Sequence, residues 1–248
     1  MTASTRMHDD EVPTDAGLVR RLIAEQFPRW AQLPLVPVAS AGTDNALYRL
    51  GDDLVVRLPR IHWAADDVAK EQTRLPLLAP YLPVVIPEPI ALGVPSGDYP
   101  WHWSVYRWLE GENPDVGALP EPEGLAEDIA AFVTALQGID AASGPVTGRG
   151  VPLAERDEPT RAALDALGET VDRGAVTAAW ESALMAPAWT GSPVWLHGDL
   201  GPGNLLCRDG RLHGVIDLPY YQNTNPHLVA DSRRKIAAVL AGGLEDAR

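Results

Sequence analysis

The spacing of apolar and polar residues changes about halfway along the chain. Through the first half, short alternating or apolar runs bounded by turn residues predict β-strands. These predicted strands cover residues 36–39, 46–50, 54–58, 88–93 and 101–109. Helical spacing predicts helices at 17–27 and 64–74, with Pro76 starting a separate short helix.

In the second half of the chain, apolar residues recur mainly at helical spacing. Leu125, Ile129, Phe132, Val133 and Leu136 form one amphipathic stripe. Further helices are predicted at 157–168, 173–186 and 229–240, a strand at 194–196, and a hairpin of 204–206 with 212–216. The hairpin turns at Asp209-Gly210, a dipeptide that favours two-residue turns.

A Gly-, Pro- and acid-rich stretch at 110–122 predicts a boundary between two lobes. The predicted class is α+β and bilobal, with an antiparallel β lobe that contains one helix and a mainly α second lobe. We expect a disordered tail over 1–16, one lobe over 17–109 and the other over 110–248.

Composition narrows the classes of function. The 248 residues carry a net charge of −14, which disfavours nucleic acids and anionic membranes as partners. A single cysteine, Cys207, allows no internal disulfide and fits a reducing, cytoplasmic compartment. Only Lys70 and Lys235 are lysines, and neither precedes Ser or Thr, so a P-loop is excluded.

The hairpin carries the strongest candidate chemistry. Pairing about its turn puts Asn204 opposite Val215, with Asp217 just beyond the same end. A carboxylate and a carboxamide oxygen suit Mg²⁺, and Asp199 in the entering loop could accept a proton from a substrate hydroxyl. The alternative is that Asp199 and Asn204 satisfy N–H groups of the turn.

The first half adds a second constellation. Helical spacing points Glu71 inward, where Arg57 could pair with it and hold nucleotide phosphates. Alternatively, Glu71 is solvated beside Lys70. The small residues of the loop that contains Ser40 and Gly42 could cap phosphates with backbone N–H groups, or form an ordinary turn.

These motifs together resemble the aminoglycoside phosphotransferase family. The resemblance rests on Arg57 followed by Glu71, on the segment 197–206 (HGDLGPGNLL) and on 214–217 (GVID), and it runs from about residue 19 to 217. It implies a kinase-like fold whose first lobe binds nucleotide and whose second carries catalysis and substrate. It also implies Mg²⁺-dependent transfer of the γ-phosphoryl of ATP or GTP to a small-molecule hydroxyl, on an aminoglycoside-like or other amino or hydroxy compound.

The resemblance also assigns roles to individual residues. It implies Asp199 as catalytic base, Asn204 and Asp217 as Mg²⁺ ligands, and Arg57 as the phosphate-binding base, oriented by Glu71. The strand that ends at Tyr106 and Trp108 would be the hinge whose backbone meets the adenine.

The sequence departs from the family after Asp217. This residue runs directly into a segment, 218–226, that resembles the end of such chains, so several helices of the second lobe are expected to be missing. A catalytically impaired nucleotide-binding or interaction module is therefore the alternative function. A second subunit could fill the missing space, which makes a homodimer an expectation as well.

Overall fold

The computed structural model describes residues 11–39, 44–115, 117, 119, 122–142, 144, 151–186, 191–217 and 221–223. Contacts divide the chain into two compact units. The first contains Met1–Pro120 and Asp199–Pro219, and the second contains Glu121–Gly198 and Tyr220–Arg248. The segment 199–219 therefore joins the first unit, which a single boundary near residue 109 does not anticipate.

A five-stranded antiparallel sheet forms the centre of the first unit, in the order β1-β2-β3-β5-β4. Its strands are β1 (Leu35–Pro37), β2 (Asn45–Leu50), β3 (Leu54–Pro59), β4 (Pro89–Gly93) and β5 (Trp103–Arg107). The central strands β3 and β5 bury alternate or successive side chains almost completely. All five strands lie within or beside runs that the alternating pattern predicts.

Helix α1 (Ala16–Gln26) covers one face of this sheet. It begins where the Asp15 carboxylate accepts a hydrogen bond from the Leu18 amide at 2.7 Å, which satisfies one of the unpaired N–H groups of the first turn. Leu22 and Ile23 are buried with Val56 and Trp103 of the sheet, and this cluster is the core of the unit.

Helix α2 (His62–Leu78) contacts β3, β4 and β5. It starts earlier than predicted and continues through Pro76. The expected separate helix is therefore wrong. Because Pro76 lies in the last turn, its missing N–H removes only one intrahelical bond near the helix end, while Leu75 and Leu78 keep that end buried.

The N-terminal tail is only partly outside the described residues. The Val12 amide donates to the Arg60 carbonyl at 2.8 Å, and Glu11 is buried. Residues 11–15 thus pack on the first unit and lead into α1, in contrast to the frayed tail expected over 1–16.

The hairpin of β7 (Leu205–Arg208) and β8 (Arg211–Val215) also belongs to the first unit. Asp209 and Gly210 both have positive φ, of 51° and 75°, as the predicted two-residue turn requires. The other edge of β8 pairs with Val85, and that of β7 pairs with Glu112, so backbone hydrogen bonds hold both sides of the hairpin.

The described part of the second unit contains three α-helices and one pair of strands. The helices are α3 (Pro122–Gly138), α4 (Asp157–Leu167) and α5 (Arg173–Leu184), and β6 (Val194–Leu196) pairs antiparallel with β9 (Tyr221–Asn223). Short 3₁₀ turns in the two units occur at Pro28–Trp30, Ala79–Tyr81, Leu153–Arg156, Gly168–Thr170 and Pro202–Asn204. The predicted helix at 229–240 lies outside the described residues.

None of the helices in the described ranges has the length and apolar character needed to cross a membrane.

Candidate active site

Arg57, which is partly buried, and Glu71, which is buried, form an ion pair in the first unit. Arg57 lies on β3 and Glu71 on the inner face of α2, between Val68 and Leu75. The Arg57 Nη1 atom is 2.7 Å from Glu71 Oε1, and the Glu71 side chain is only 6% exposed. The alternative of a solvated Glu71 beside Lys70 is wrong, because the Glu71 side chain is buried and Lys70 pairs with Asp67.

The second oxygen of Glu71 is also occupied. The Tyr106 hydroxyl donates to Glu71 Oε2 in a buried hydrogen bond. Tyr106 was predicted as a hinge residue, and its side-chain role was not anticipated. The signal lies in the strand register: Tyr106 is opposite Val55, and Ser104 is opposite Arg57. Residues two apart share one face of a sheet, so Tyr106 lies on the same face as Arg57.

Arg57 also joins Asp217 to this pair. Its Nη2 atom is 2.5 Å from Asp217 Oδ1, so each arm of the guanidinium holds a different carboxylate. Asp217 follows β8 directly and has a φ of 53°, in the left-handed region. Asp is one of the few side chains that tolerate this region, which bends the chain sharply as it leaves the hairpin. A chain of contacts thus runs from Tyr106 through Glu71 and Arg57 to Asp217.

Burial and charge act in opposite directions on these groups. Burial disfavours the charged guanidinium, but Glu71 and Asp217 together outweigh it and raise the pKa of Arg57 above its ordinary value. Burial raises the pKa of Glu71, and the opposing effects of Arg57 and the Tyr106 hydroxyl only reduce this rise. Burial and the Glu71 charge raise the pKa of Tyr106, so its hydroxyl keeps its proton as a donor. Arg57 is therefore a permanent cation in this site.

The hairpin register places Asn204 closer to Asp217 than predicted. Near the turn the pairing is as expected, but a bulge between Leu206 and Cys207 shifts it by one residue. Leu205, not Asn204, is opposite Val215, and the Asn204 carbonyl accepts from the Ile216 amide at 2.9 Å. The predicted pairing of Asn204 with Val215 is wrong for this reason, because a bulge adds one unpaired residue to a strand.

The loop before the hairpin connects Asn204 to Asp199. The Asn204 Nδ2 atom donates to the Asp199 carbonyl at 2.8 Å, and the Gly201 amide donates to the same oxygen at 2.9 Å. The side chain of Asn204 thus supports the turn by donating to a carbonyl, not by accepting from an N–H group as the alternative has it. This bond uses the amide nitrogen, so the amide oxygen is the atom that could bind a cation.

The side-chain oxygens of Asn204 and Asp217 suit a hard divalent cation that keeps some of its water ligands. Asn204 and Asp217 supply carboxamide and carboxylate oxygens, which Mg²⁺ prefers, and Mg²⁺ usually takes its other ligands from phosphates and water. Across the described residues there is no group of three or more His, Cys, Asp or Glu side chains that could hold a metal. Asn204 and Asp217 alone would leave most of the coordination shell of such an ion to phosphates and water.

The predicted hinge has two of its amides engaged. The Arg107 amide donates to the Glu88 carbonyl at 2.9 Å, and the Trp108 amide donates to the Asp53 carbonyl at 2.7 Å. The guanidinium of Arg49 lies 4.6 Å from the centre of the Trp108 ring. An adenine contact from this strand would therefore have to use peptide groups other than these two N–H donors.

The predicted phosphate loop is described only at its two ends. Ser40 and Gly42 lie outside the described residues. On the near side, the Val38 amide donates to the Leu47 carbonyl at 2.9 Å, and on the far side the Arg60 amide donates to the Asp44 carbonyl at 2.7 Å. A nucleotide contact of Ser40 or Gly42 stays a prediction.

One further residue near the site was not identified from the sequence. The Asn113 side chain reaches the backbone of the loop that contains Asn204. Asn113 belongs to the stretch 110–122, which reads as a solvated boundary. No local pattern marks it, because its partners are about 90 positions further along the chain.

Solved structures with a similar fold are phosphotransferases. The GDP complex of wild-type aminoglycoside 2'-phosphotransferase-IIIa is 24% identical, with a TM-score of 0.72, and the match covers 94% of this chain and 84% of that one. The streptomycin-ATP-APH(2")-IIa ternary complex is 18% identical, with a TM-score of 0.62 and coverages of 95% and 84%. Macrolide 2'-phosphotransferase MphH from Brachybacterium faecium is 24% identical, with a TM-score of 0.58 and coverages of 91% and 83%.

These similarities confirm the predicted α+β, kinase-like fold class. No curated protein sequence matches the chain. The model of the phosphotransferase enzyme family matches residues 35–228, which include the β3 strand, the α2 helix and the β7–β8 hairpin with its entering loop. Because this match covers well over half of the chain, the chain belongs to the phosphotransferase enzyme family, as the resemblance of its motifs predicts.

Proposed function

We propose that this protein transfers the γ-phosphoryl group of ATP or GTP to a hydroxyl of a small molecule, in a reaction that requires Mg²⁺. The observation that carries the proposal is the partly buried cation Arg57, held between Glu71 and Asp217. A permanent positive charge fixed beside the predicted metal ligand Asp217 stabilises the negative charge of a transferring phosphoryl group.

The other predicted site residues have complementary roles. Asn204 and Asp217 would hold Mg²⁺ through their side-chain oxygens, and the bound ion would neutralise charge on the phosphates. Asp199 would accept the proton of the acceptor hydroxyl while that oxygen bonds to the γ-phosphorus and the bond to the nucleoside diphosphate breaks. Catalysis would thus come mainly from positioning and charge.

The similar structures support a nucleotide donor and a hydroxylated acceptor. They include complexes with GDP and with ATP together with streptomycin, and also a macrolide phosphotransferase. The net charge of −14 favours the approach of cationic acceptors such as polyamines bearing hydroxyls. A cytoplasmic location is proposed on the single cysteine alone, and a homodimer remains a proposal for gel filtration to examine.

Thermal unfolding with and without nucleotide tests the donor site. We expect ATP or GTP with Mg²⁺ to raise the melting temperature, because a ligand at 100 times its Kd stabilises a fold by about 2.7 kcal/mol. Asp217→Asn should lose most of the Mg²⁺-dependent part of this rise. Asp209→Asn is the matched control, because Asp209 has nearly the same φ but lies at the turn of the hairpin. The proposal fails if neither nucleotide changes the melting temperature of the unmodified protein.

A turnover assay distinguishes an active enzyme from a catalytically impaired nucleotide-binding module. Asp199→Asn should still bind nucleotide but transfer phosphoryl about 10²- to 10⁴-fold more slowly, the usual contribution of a general base. The assay is release of nucleoside diphosphate over a panel of aminoglycosides, macrolides and simpler amino alcohols. Nucleotide binding without turnover on any acceptor would favour the catalytically impaired nucleotide-binding module instead.

A further inference from the structure

The side chain of Asn113 lies across the loop that carries the predicted metal ligand Asn204. Its Nδ2 atom is 3.3 Å from the Pro202 carbonyl, 3.1 Å from the Gly203 carbonyl and 2.8 Å from the Leu205 carbonyl. The two shorter contacts are to the residues immediately before and after Asn204. One amide group therefore holds the backbone on both sides of this residue.

The backbone that carries Asn113 is itself fixed to the hairpin. The Glu112 amide donates to the Cys207 carbonyl at 3.0 Å, and the Cys207 amide donates back to the Glu112 carbonyl at 2.8 Å. Gly111 has a φ of 143°, and a Cβ atom there would lie 2.9 Å from the Leu206 Cβ. The chain thus comes as close to β7 as a glycine allows, which sets the distance over which Asn113 must reach.

Asn204 makes further hydrogen bonds of its own. Its carbonyl accepts from the Ile216 amide, its side-chain Nδ2 donates to the Asp199 carbonyl, and its backbone amide donates to the Gly201 carbonyl at 2.9 Å. These bonds connect it to Asp199 and to the residue before Asp217, but they leave the peptide groups around it in a short 3₁₀ turn (Pro202–Asn204). Such turns have poor internal hydrogen-bond geometry, so their shape depends on outside partners.

We infer that Asn113 is a positioning residue for the metal site, which holds the loop 202–205 so that the side-chain oxygen of Asn204 faces the same cation as Asp217. This inference rests on the proposed role of Asn204 as a metal ligand. Within the described residues, the Asn113 side chain donates to backbone carbonyls of this loop, so we place its effect on the metal through Asn204. Partners that orient a metal ligand typically change metal affinity about 10- to 100-fold when they are removed.

The test measures how tightly Mg²⁺ supports nucleotide binding. Fluorescent ADP and GDP analogues are titrated into the protein without metal and then with increasing MgCl₂. Asn113→Ala should leave the metal-free affinity for nucleotide within about twofold and raise the half-saturating Mg²⁺ concentration about tenfold or more. Asn113→Gln, which keeps the amide donors on a longer side chain, should recover part of this loss.

Gln26→Ala is the matched control. Gln26 is also an exposed amide that clamps a backbone segment of the first unit, through two hydrogen bonds to Val94 at 2.8 and 3.0 Å. Its loss removes a similar number of bonds, so it reports the effect of general destabilisation. We expect the Mg²⁺ dependence of Gln26→Ala to equal that of the unmodified protein.

The outcomes distinguish this inference from the proposed function. If the unmodified protein binds nucleotide but Asn113→Ala has an unchanged Mg²⁺ requirement, or if Gln26→Ala shifts it equally, the inference is overturned while the proposed function stands. If the unmodified protein shows no Mg²⁺-dependent nucleotide binding, the proposed metal site fails first. Should Asn113→Ala not fold, Asn113→Ser gives the same test, because its hydroxyl is too short to span these carbonyls.

Discussion

Arg57 is the residue whose geometry depends most on its side-chain type. Its two terminal nitrogens hold two different carboxylates, Glu71 and Asp217, from elements far apart in sequence. A lysine has a single nitrogen on a flexible stem and cannot present two arms in a fixed plane. The Arg57 guanidinium therefore pairs with Glu71 and also links that pair to the hairpin.

Removing that cation should be costly. We expect Arg57→Ala to lower the free energy of unfolding by about 3 to 5 kcal/mol, because the buried Glu71 carboxylate would lose its charge partner. Arg21→Ala is the control: Arg21 lies on α1 and pairs with Asp98 at 2.9 Å, and both side chains are largely exposed. Its loss should be within about 1 kcal/mol in urea unfolding. Equal losses for the two variants would contradict the buried pair.

Tyr106 should contribute more than an ordinary buried tyrosine. Its hydroxyl donates to the Glu71 carboxylate, whereas the hydroxyl of buried Tyr99 donates to the neutral Pro59 carbonyl at 2.6 Å. Hydrogen bonds to charged groups contribute about 1.5–3 kcal/mol, and neutral ones about 0.5–1.5 kcal/mol. Tyr106→Phe should therefore destabilise the protein more than Tyr99→Phe in the same urea experiment, and the reverse order would refute a charged acceptor.

At the scale of elements, the β4–β5 pair depends on one glycine. Gly93 is opposite Trp103, and a Cβ atom on Gly93 would lie 2.0 Å from the indole Cε2. Trp103 is fully buried and cannot move away without disturbing the core. The large ring therefore occupies the space that a side chain at position 93 would need.

Gly93→Ala should thus destabilise the first unit by at least about 1–3 kcal/mol, the usual cost of overpacking a core. Gly97→Ala is the control from the following turn, where no atom lies within 4 Å of an added Cβ. We expect its melting temperature to stay close to that of the unmodified protein. A similar small effect at both glycines would show that the indole can shift.

Helices α4 and α5 are joined by a carboxylate. Asp157 Oδ1, in the first turn of α4, accepts from Trp180 Nε1 on α5 at 2.7 Å and from Arg161 Nε at 2.8 Å. The hydrogen bond from Trp180 and then that from Arg161 lower the pKa of Asp157 below its ordinary value. A lowered pKa in the folded state means that the ionised form stabilises the fold.

The stabilisation by ionised Asp157 should be lost only at acid pH. It is fully present above the unfolded pKa of about 3.9 and disappears as pH falls through the lower folded value. We expect Asp157→Asn to melt at a lower temperature than the unmodified protein at pH 5 to 8, by a constant margin, with the two curves converging below about pH 4. A margin that widens toward acid pH would contradict the direction of the shift.

At the scale of the molecule, all described residues of the proposed nucleotide and metal site belong to the first unit. The hairpin reaches this unit from the other end of the sequence and carries Asn204 and Asp217 with it. The second unit contributes α3, α4 and α5 and its own strand pair. Nucleotide binding should therefore stabilise the two units unequally.

Hydrogen exchange gives the corresponding test. With nucleotide and Mg²⁺ at about 100 times the Kd, amides that open only when the site is lost should exchange up to about 100-fold more slowly. We expect this protection in β3, β5 and the β7–β8 hairpin, and little change in α4 and α5. Protection concentrated in α4 and α5 would place the nucleotide away from Arg57.

Much of the local structure follows from short-range patterns. The alternating runs predict the strands of the sheet, and helical spacing predicts α3 and α4 to within a few residues. Asp209-Gly210 predicts the hairpin turn, because both residues tolerate positive φ. Helical spacing predicts the inward position of Glu71, and the motifs predict the family.

What the sequence alone determined was therefore the order of elements, the family and a set of candidate polar residues for its chemistry. The tertiary structure alone decided how those residues meet: the bulge that moves Asn204 beside Ile216, the Tyr106 hydroxyl on Glu71, and the clamp by Asn113. The physical reason is the separation along the sequence over which each kind of interaction acts. Periodicity and turn chemistry are set by residues a few positions apart, whereas Arg57 and Asp217 are 160 positions apart, and only the packing of the sheet, α2 and the hairpin brings them together.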